Sequence, residues 1–496
     1  MDNPQSSSPT PSTSTSAVSA DSADSAGDFG AAFKGFLERT VAAAPVAEPV
    51  FAARLRAHFG TDPAALPIVA EQFEPSEHPN LQAALDAWLQ PSERSFEAIG
   101  VTSEYKRFNG LGLADILTSG RTGLVGGSGP AVGPVEYLNV ALDRDRVMTC
   151  LQFGLLLIGD GGLPLAVLVS GPTERGVRDK GRVEVMAADR DQARGFLADL
   201  RAGMHQRNVY RGHVVSLAQE AYGSMRVKFH ALPTIAREDI VLADGVLERV
   251  ERHTVGFATH RDRLLTAGRH LRRGLLLHGQ PGTGKTLTAM YLAGRMGERT
   301  VVLLTGREIG LIPRACAIAR LLQPSMVILE DVDLIAEERD RQQPGCTPLL
   351  FELLNEMDGL GDDADVIFLL TSNRPDLLEP ALAARPGRVD LAVEVPLPDA
   401  SCRRRLFELY GQGLTLSLEA DGLDRLVQRT EGVSPAFVRE LLRKAALLAV
   451  LPTGGSGDGD GVTDAIVVTD QHLDQAMHEL VLDGGELTRR LLGAAS

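Results

Sequence analysis

Residues 274–286, reading GLLLHGQPGTGKT, decide how the rest of this 496-residue chain is organised. Gly274, Leu275, Leu276, Leu277 and His278 make an apolar run of strand length, and Gly279, Gln280, Pro281, Gly282, Thr283, Gly284, Lys285 and Thr286 fit the pattern G-x-x-x-x-G-K-T. A buried strand, a glycine loop and then a helix opening near Lys285 and Leu287 is the context that phosphate binding needs. Glycines let backbone N–H groups turn inward around phosphate oxygens, and the helix N-terminus adds its positive dipole end. Lys285 is then placed to reach β- and γ-phosphates, and Thr286 to ligate Mg²⁺.

A phosphate loop does chemistry only with a metal-side acid and a group that handles water. The apolar stretch Met326, Val327, Ile328, Leu329 ends in Glu330-Asp331, followed by Val332 and Asp333. At the C-terminal edge of a parallel strand, such a pair supplies acid where the phosphate loop also emerges. Two roles are open to it, Mg²⁺ coordination and activation of the attacking water.

Composition narrows the classes. A net charge of −15 and a pI near 5.3 argue against a broadly basic nucleic-acid surface, and no H-E-x-x-H occurs. Basic charge comes almost wholly from arginine, so Lys285 stands out among few lysines. Cys150, Cys316, Cys346 and Cys402 are spaced neither as a disulfide framework nor as a C-x-x-C metal site, which suits reduced, packed thiols in the cytoplasm. No stretch of 18 apolar residues occurs, so no membrane span is expected.

In chain order, residues 1–30 are Ser, Thr, Pro, Ala and Asp with little to bury, an acidic disordered tail. Residues 31–109 carry apolar positions at three- and four-residue spacing, predicting a mostly helical region that includes Trp88. Residues 110–134 are glycine-rich and read as a linker. Residues 135–235 predict an α/β or α+β domain, with strands at 137–142, 151–158, 163–169, 182–186, 209–216 and 227–232 and an amphipathic helix at 191–205. His205, His213 and His230 in that region lack ligand spacing. Residues 240–399 alternate strand and helix, with strands at 301–305, 326–329, 366–371 and 391–395 accompanying the phosphate strand, which predicts a doubly wound parallel sheet. Residues 400–484 turn helical around a Gly/Asp loop at 453–461, and 485–496 form a C-terminal tail.

With these residues in view, 240–482 resemble an AAA+ ATPase module of the subfamily that carries a second region of homology. The resemblance implies an α/β core with a helical lid, ATP and Mg²⁺ as cofactors, and a homo-oligomeric, commonly hexameric ring with nucleotide between subunits. Leu353, Leu354, Asn355, Glu356, Met357, Asp358, Gly359 and Leu360 resemble the inter-subunit signalling segment. Asn373 matches the sensor asparagine that orients water, and Arg374 to Asp390 matches the second region of homology, putting Arg385 and Arg388 at arginine-finger positions.

Three departures bear on function. The family usually reads Asp-Glu at the acidic pair, so Glu330 takes the metal side and Asp331 the water side; a similar inverted pair occurs in the mitochondrial inner-membrane AAA chaperone. The connection Arg307, Glu308, Ile309, Gly310, Leu311, Ile312, Pro313, Arg314 lacks the pore-loop aromatic of threading members, and Ile309, Leu311 and Ile312 are read equally as weak grip or as packing. Ala436 stands near the sensor-two position, so no lid arginine is expected at the nucleotide, and Arg439 and Arg443 are expected to face solvent or a neighbour. The implied function is ATP-driven remodelling of a protein client, with an ATP-regulated scaffold as alternative and a nucleic-acid motor as the least supported.

Overall fold

The computed structural model describes residues 29–36, 39, 49–90, 94–102, 111–118, 130–142, 146–160, 163–172, 180–219, 225–334, 349–359, 364–378, 388–451 and 466–483. The expected tail (up to 28), the 453–461 loop and the C-terminal 485–496 lie outside these residues, as do Arg385 and Cys346.

The first unit is built on an antiparallel sheet of β1 (Ile68–Phe73), β2 (Arg94–Thr102), β3 (Ala131–Gly133), β4 (Glu136–Ala141), β5 (Val147–Asp160), β6 (Leu163–Ser170) and β7 (Gly181–Met186), in the order β1-β7-β6-β5-β2-β3 with β4 also on β5. Helices α1 (Val50–Phe59) and α3 (Leu113–Thr118) cover one face, while α2 (His78–Leu89) and α4 (Arg190–Gln206) cover the other. The period of two is visible inside β5, where Leu155 and Leu157 point into the first layer and Leu156 and Ile158 into the second. A strand buried on both faces is apolar throughout, which is why this stretch reads as a continuous hydrophobic run.

Two expectations for this unit are amended. The described part of 31–109 is largely helical, as expected, but β1 and β2 also lie within it; their partners are remote, with Ile68 opposite Met186 and Ile99 opposite Leu155. The glycine-rich interval is not simply a linker: α3 buries Leu113 and Ile116 completely, and the backbone N–H of Leu113 donates to Glu184 Oε2 at 2.7 Å.

The second unit is a sheet in the order β14-β10-β13-β12-β11-β8-β9. Its strands are β8 (Val214–Gln219), β9 (Met225–His230), β10 (Arg273–His278), β11 (Thr300–Leu304), β12 (Ser325–Leu329), β13 (Val366–Ser372) and β14 (Leu391–Glu394). All neighbours are parallel except β9, which returns antiparallel beside β8. Helices α5 (Val246–His253) and α8 (Lys285–Arg295) pack on one face with Leu275 and Leu277; α9 (Ile312–Leu321) and α10 (Leu349–Asp358) pack on the other with Leu276, Val327 and Leu329. Short helices α6 (Val255–Thr259) and α7 (Arg261–Thr266) lead into β10. The doubly wound core and separate preceding unit are as expected from the sequence.

The strands read at 209–216 and 227–232 change sheets relative to expectation. Their alternation identifies strands but not their sheet, and the structure pairs Val214 to Ser216 with Val301 to Leu303. Tyr210 enters the second core while its hydroxyl donates to the Ser76 carbonyl of the first unit at 2.5 Å, and Asn80 Oδ1 accepts from Val209 N at 2.8 Å. The two units are thereby stitched together at the end of α4.

The lid comprises α11 (Ala400–Tyr410), α12 (Gly422–Arg429), α13 (Pro435–Val450) and α14 (Asp470–His478). Asp399 caps α11 by accepting from Cys402 N at 2.8 Å, and Ser434 caps α13 ahead of Pro435 by accepting from Phe437 N at 3.2 Å. A parallel pair, β15 (Leu414–Ser417) and β16 (Ile466–Thr469), adds to the expected all-helical lid. Among the described residues no helix is long and apolar enough to cross a membrane.

Candidate nucleotide-binding site

The phosphate loop leaves β10 at His278 and passes close under β14. Gly279 has φ +149°, and a Cβ there would sit 2.3 Å from the Val395 carbonyl oxygen, so this position excludes every side chain. Gly282 and Gly284 hold φ +75° and +100°, aiming the loop into α8. Thr283 Oγ1 donates to the Gln280 carbonyl at 2.9 Å and pins the loop from inside. Gln280, Pro281, Gly282, Thr286 and Leu287 lie on its exposed side.

Lys285 is only 6% exposed, and its ammonium folds back to donate to the carbonyls of Gly279 (2.9 Å) and Gln280 (2.8 Å). Burial pushes its pKa down, and the charges of Asp331 and Asp333 oppose that shift. A buried cation with only carbonyl partners is matched to an incoming polyanion.

Across from it, β12 delivers the acids. Glu330 is half-buried; burial raises its carboxyl pKa, the Thr286 hydroxyl bonds it and works the other way, and the Asp331 charge adds to the rise. Its Oε1 is buried without a hydrogen-bond partner. An orphaned carboxylate oxygen beside a threonine hydroxyl fits a Mg²⁺ ion, which takes few protein oxygens and keeps waters and phosphate oxygens as its other ligands.

Asp331 sits at φ +52°, a conformation that an L-residue adopts at a cost of about 1–2 kcal/mol. The backbone N–H of Asp331 donates to Thr371 Oγ1 at 3.1 Å and that of Val332 to the Thr371 carbonyl at 2.9 Å, fixing the turn to β13. Strain held this way re-aims the Asp331 side chain outward, where its Oδ1 accepts from Asn373 Nδ2 at 3.0 Å. Asn373 and Asp331 are therefore brought together beside Glu330, with Lys285 and Thr286 on the facing loop.

Arg388 is not part of this cluster in its own chain. It lies against Gly274, at the start of β10, which the strand rise places roughly 16 Å from Gly279. There Arg388 Nε donates to Asp358 Oδ1 at 2.8 Å and a second guanidinium nitrogen also meets Asp358, while Nη1 is buried and unpartnered. Burial, aided by Arg272, lowers its pKa.

The lid closes the other side. Ala436 N donates to the Gly282 carbonyl at 3.2 Å, so the first turn of α13 rests on the phosphate loop. The sensor-two position thus presents a methyl group and a helix N-terminus. The connection after β11 forms a short 3₁₀ turn (Gly306–Leu311) followed by α9. Leu311 and Ile312 are 9% and 0% exposed in the core, which decides their open alternative as packing.

Sequence reasoning gave no role to Asp333, Thr371 or Val395. The spacing of the acidic run to Asp333 was visible, but its partner Asn373, just beyond β13, lies 40 residues on in the chain.

The family model described as "ATPase family associated with various cellular activities (AAA)" matches residues 275–397, and the chain carries an AAA ATPase domain there. The chain is 33% identical over 230 residues to human ATPase family gene 2 protein homolog A, covering 44% of this chain and 26% of that protein. It is 33% identical over 236 residues to the ATP-dependent zinc metalloprotease FtsH of Mycobacterium tuberculosis (45% and 31%). It is 34% identical over 224 residues to the ATP-dependent zinc metalloprotease FtsH 3 of Synechocystis (43% and 36%). The chain spans between about a quarter and just over a third of the length of these relatives.

Proposed function

We propose that this protein hydrolyses ATP to ADP and phosphate at the loop 279–286 and uses the cycle to remodel a protein client. The observation that carries this reading is the juxtaposition of two pairs, Thr286 with Glu330 and Asn373 with Asp331, around one phosphate loop. Backbone N–H groups of Gly282, Thr283 and Gly284 and the Lys285 ammonium bind the phosphates, and the lysine exchanges two carbonyl partners for phosphate oxygens. Thr286 and Glu330 would hold Mg²⁺, which would supply neutralisation of phosphate charge. Asp331 takes a proton from the attacking water, and Asn373 orients both the water and the carboxylate.

Arg388, at the opposite end of β10 from its own loop, is suited to complete a neighbour's site, and the family resemblance alone gives Arg385, outside the described residues, the same role; this supports a ring, hexameric by analogy with the family. Release of Arg388 from Asp358 would accompany docking of that neighbour. Phosphate release measured on the purified protein tests the reading: activity should require Mg²⁺ and Lys285, and absence of ATP-dependent turnover by the assembled protein overturns it.

A second reading, an ATP-regulated switch that does not thread polypeptide, is favoured by Leu311 and Ile312. Because both are core residues, neither is on hand to grip an extended chain. ATP-dependent unfolding of a tagged client would exclude the switch; ATP-dependent partner capture and release without unfolding would establish it.

A further inference from the structure

We propose that Asp333 is a positioning residue for hydrolysis, holding Asn373 so that its carboxamide meets Asp331. This rests on the ATPase reading above but concerns a residue to which that reading assigns no work. Asp333 lies two residues past the strained Asp331 and is 6% exposed. Its Oδ1 accepts the backbone N–H of Asn373 at 3.0 Å. Helix caps and Asx turns bind backbone within a few residues; this bond instead joins the end of β12 to the first residue beyond β13.

Asn373 is held at both ends as a result. Its main chain is fixed by Asp333, and its side chain donates to Asp331 Oδ1 at 3.0 Å. Thr371 holds the other strand of the same turn through its hydroxyl and carbonyl. Since β13 ends at Ser372, no ladder bond fixes the Asn373 N–H, and Asp333 supplies what the sheet does not. A charged acceptor makes that bond stronger than a neutral one.

The hydrogen bond and the charge separate experimentally. Asp333→Asn keeps a carbonyl oxygen where Oδ1 lies and removes the charge, whereas Asp333→Ala removes both. The expected result is a kcat lower by about ten- to a hundredfold in Asp333→Ala, the range for a displaced positioning group, with ATP affinity and KM changed less than about threefold. Asp333→Asn should recover most of kcat. Wild-type kcat in Asp333→Ala overturns the proposal; so does an equal loss in both variants, and so does a loss of kcat matched by a loss of ATP affinity. A structural readout stands apart from turnover: hydrogen exchange of the Asn373 amide in the wild type should be protected, and protection should vanish in Asp333→Ala and persist in Asp333→Asn. Exchange at the rate of an open loop in the wild type overturns the proposal even where Asp333→Ala does not fold. A wild type that turns over no ATP while this amide is protected would instead fail the ATPase reading.

Discussion

Gly282→Ala tests the contact between lid and phosphate loop. Gly282 has φ +75°, where an L-residue costs about 1–2 kcal/mol. The added Cβ would lie 2.9 Å from both Ala436 Cβ and Ser434 Oγ. Ala436 cannot rotate away, because its Cβ is fixed to the backbone of the 16-residue helix α13. Relief therefore requires the lid helix to move off the loop, lengthening the 3.2 Å bond from Ala436 N to the Gly282 carbonyl. Restricting the unfolded chain returns about 0.4–1 kcal/mol, leaving a net loss of about 1–3 kcal/mol. Gly245→Ala is the control: its φ is +78°, but nothing lies within 4 Å of its Cβ. Thermal unfolding and binding of a fluorescent ATP analogue read the outcome. Gly282→Ala should lower Tm by about 3–8 °C, more than the control, and weaken nucleotide binding, which Gly245→Ala should leave intact. Equal Tm losses with wild-type affinity in both variants would refute the reasoning.

Glu330→Gln should raise Tm at neutral pH, because burial holds the native carboxyl pKa above its unfolded value. The native state then binds more protons than the unfolded state within that window, so stability falls as pH rises through it, and the Tm gain should shrink as pH is lowered below the window. Lys285→Met should abolish nucleotide binding while leaving the fold, since the methionine stem fills the same space without a desolvated charge; retained ATP affinity would contradict the phosphate role. Arg388→Ala subunits should be inactive alone yet regain turnover when mixed with Lys285→Met subunits, which bind no nucleotide but still present Arg388. No recovery in mixed assemblies would place Arg388 in a structural pair with Asp358 only.

The phosphate loop was legible because its chemistry is local: strand, glycines, lysine and helix start fall within thirteen consecutive residues. The acidic pair was legible for the same reason. What joins them was not, because Asp331 meets Asn373, Asp333 meets Asn373 N–H, and Glu330 meets Thr286 only after the strands come into register. Sheet membership failed in the same way. Strands β8 and β9 alternate as strands should, but nothing in residues 214–230 says that the parallel partner of β8 is β11, after the phosphate loop, with β9 returning antiparallel at the edge. The strands β1 and β2 were missed because short segments with remote partners carry less signal than the helices beside them. Leu311 and Ile312 illustrate the limit for function: apolar residues read alike whether they grip a client or fill a core, and burial alone separates them.

The assignment of Asp331 to water and Glu330 to the metal side is tested most directly by comparing ATP binding and phosphate release in Asp331→Asn and Glu330→Gln. Asn tolerates the left-handed backbone at position 331 and keeps an acceptor for Asn373, so Asp331→Asn removes little but the base. Asp331→Asn should bind MgATP as the wild type does and release phosphate slower by about 10²–10⁴-fold, while Glu330→Gln should weaken the Mg²⁺ dependence of binding itself. Near-normal turnover in Asp331→Asn, with a Glu330→Gln variant that binds MgATP normally and does not hydrolyse it, would contradict the account.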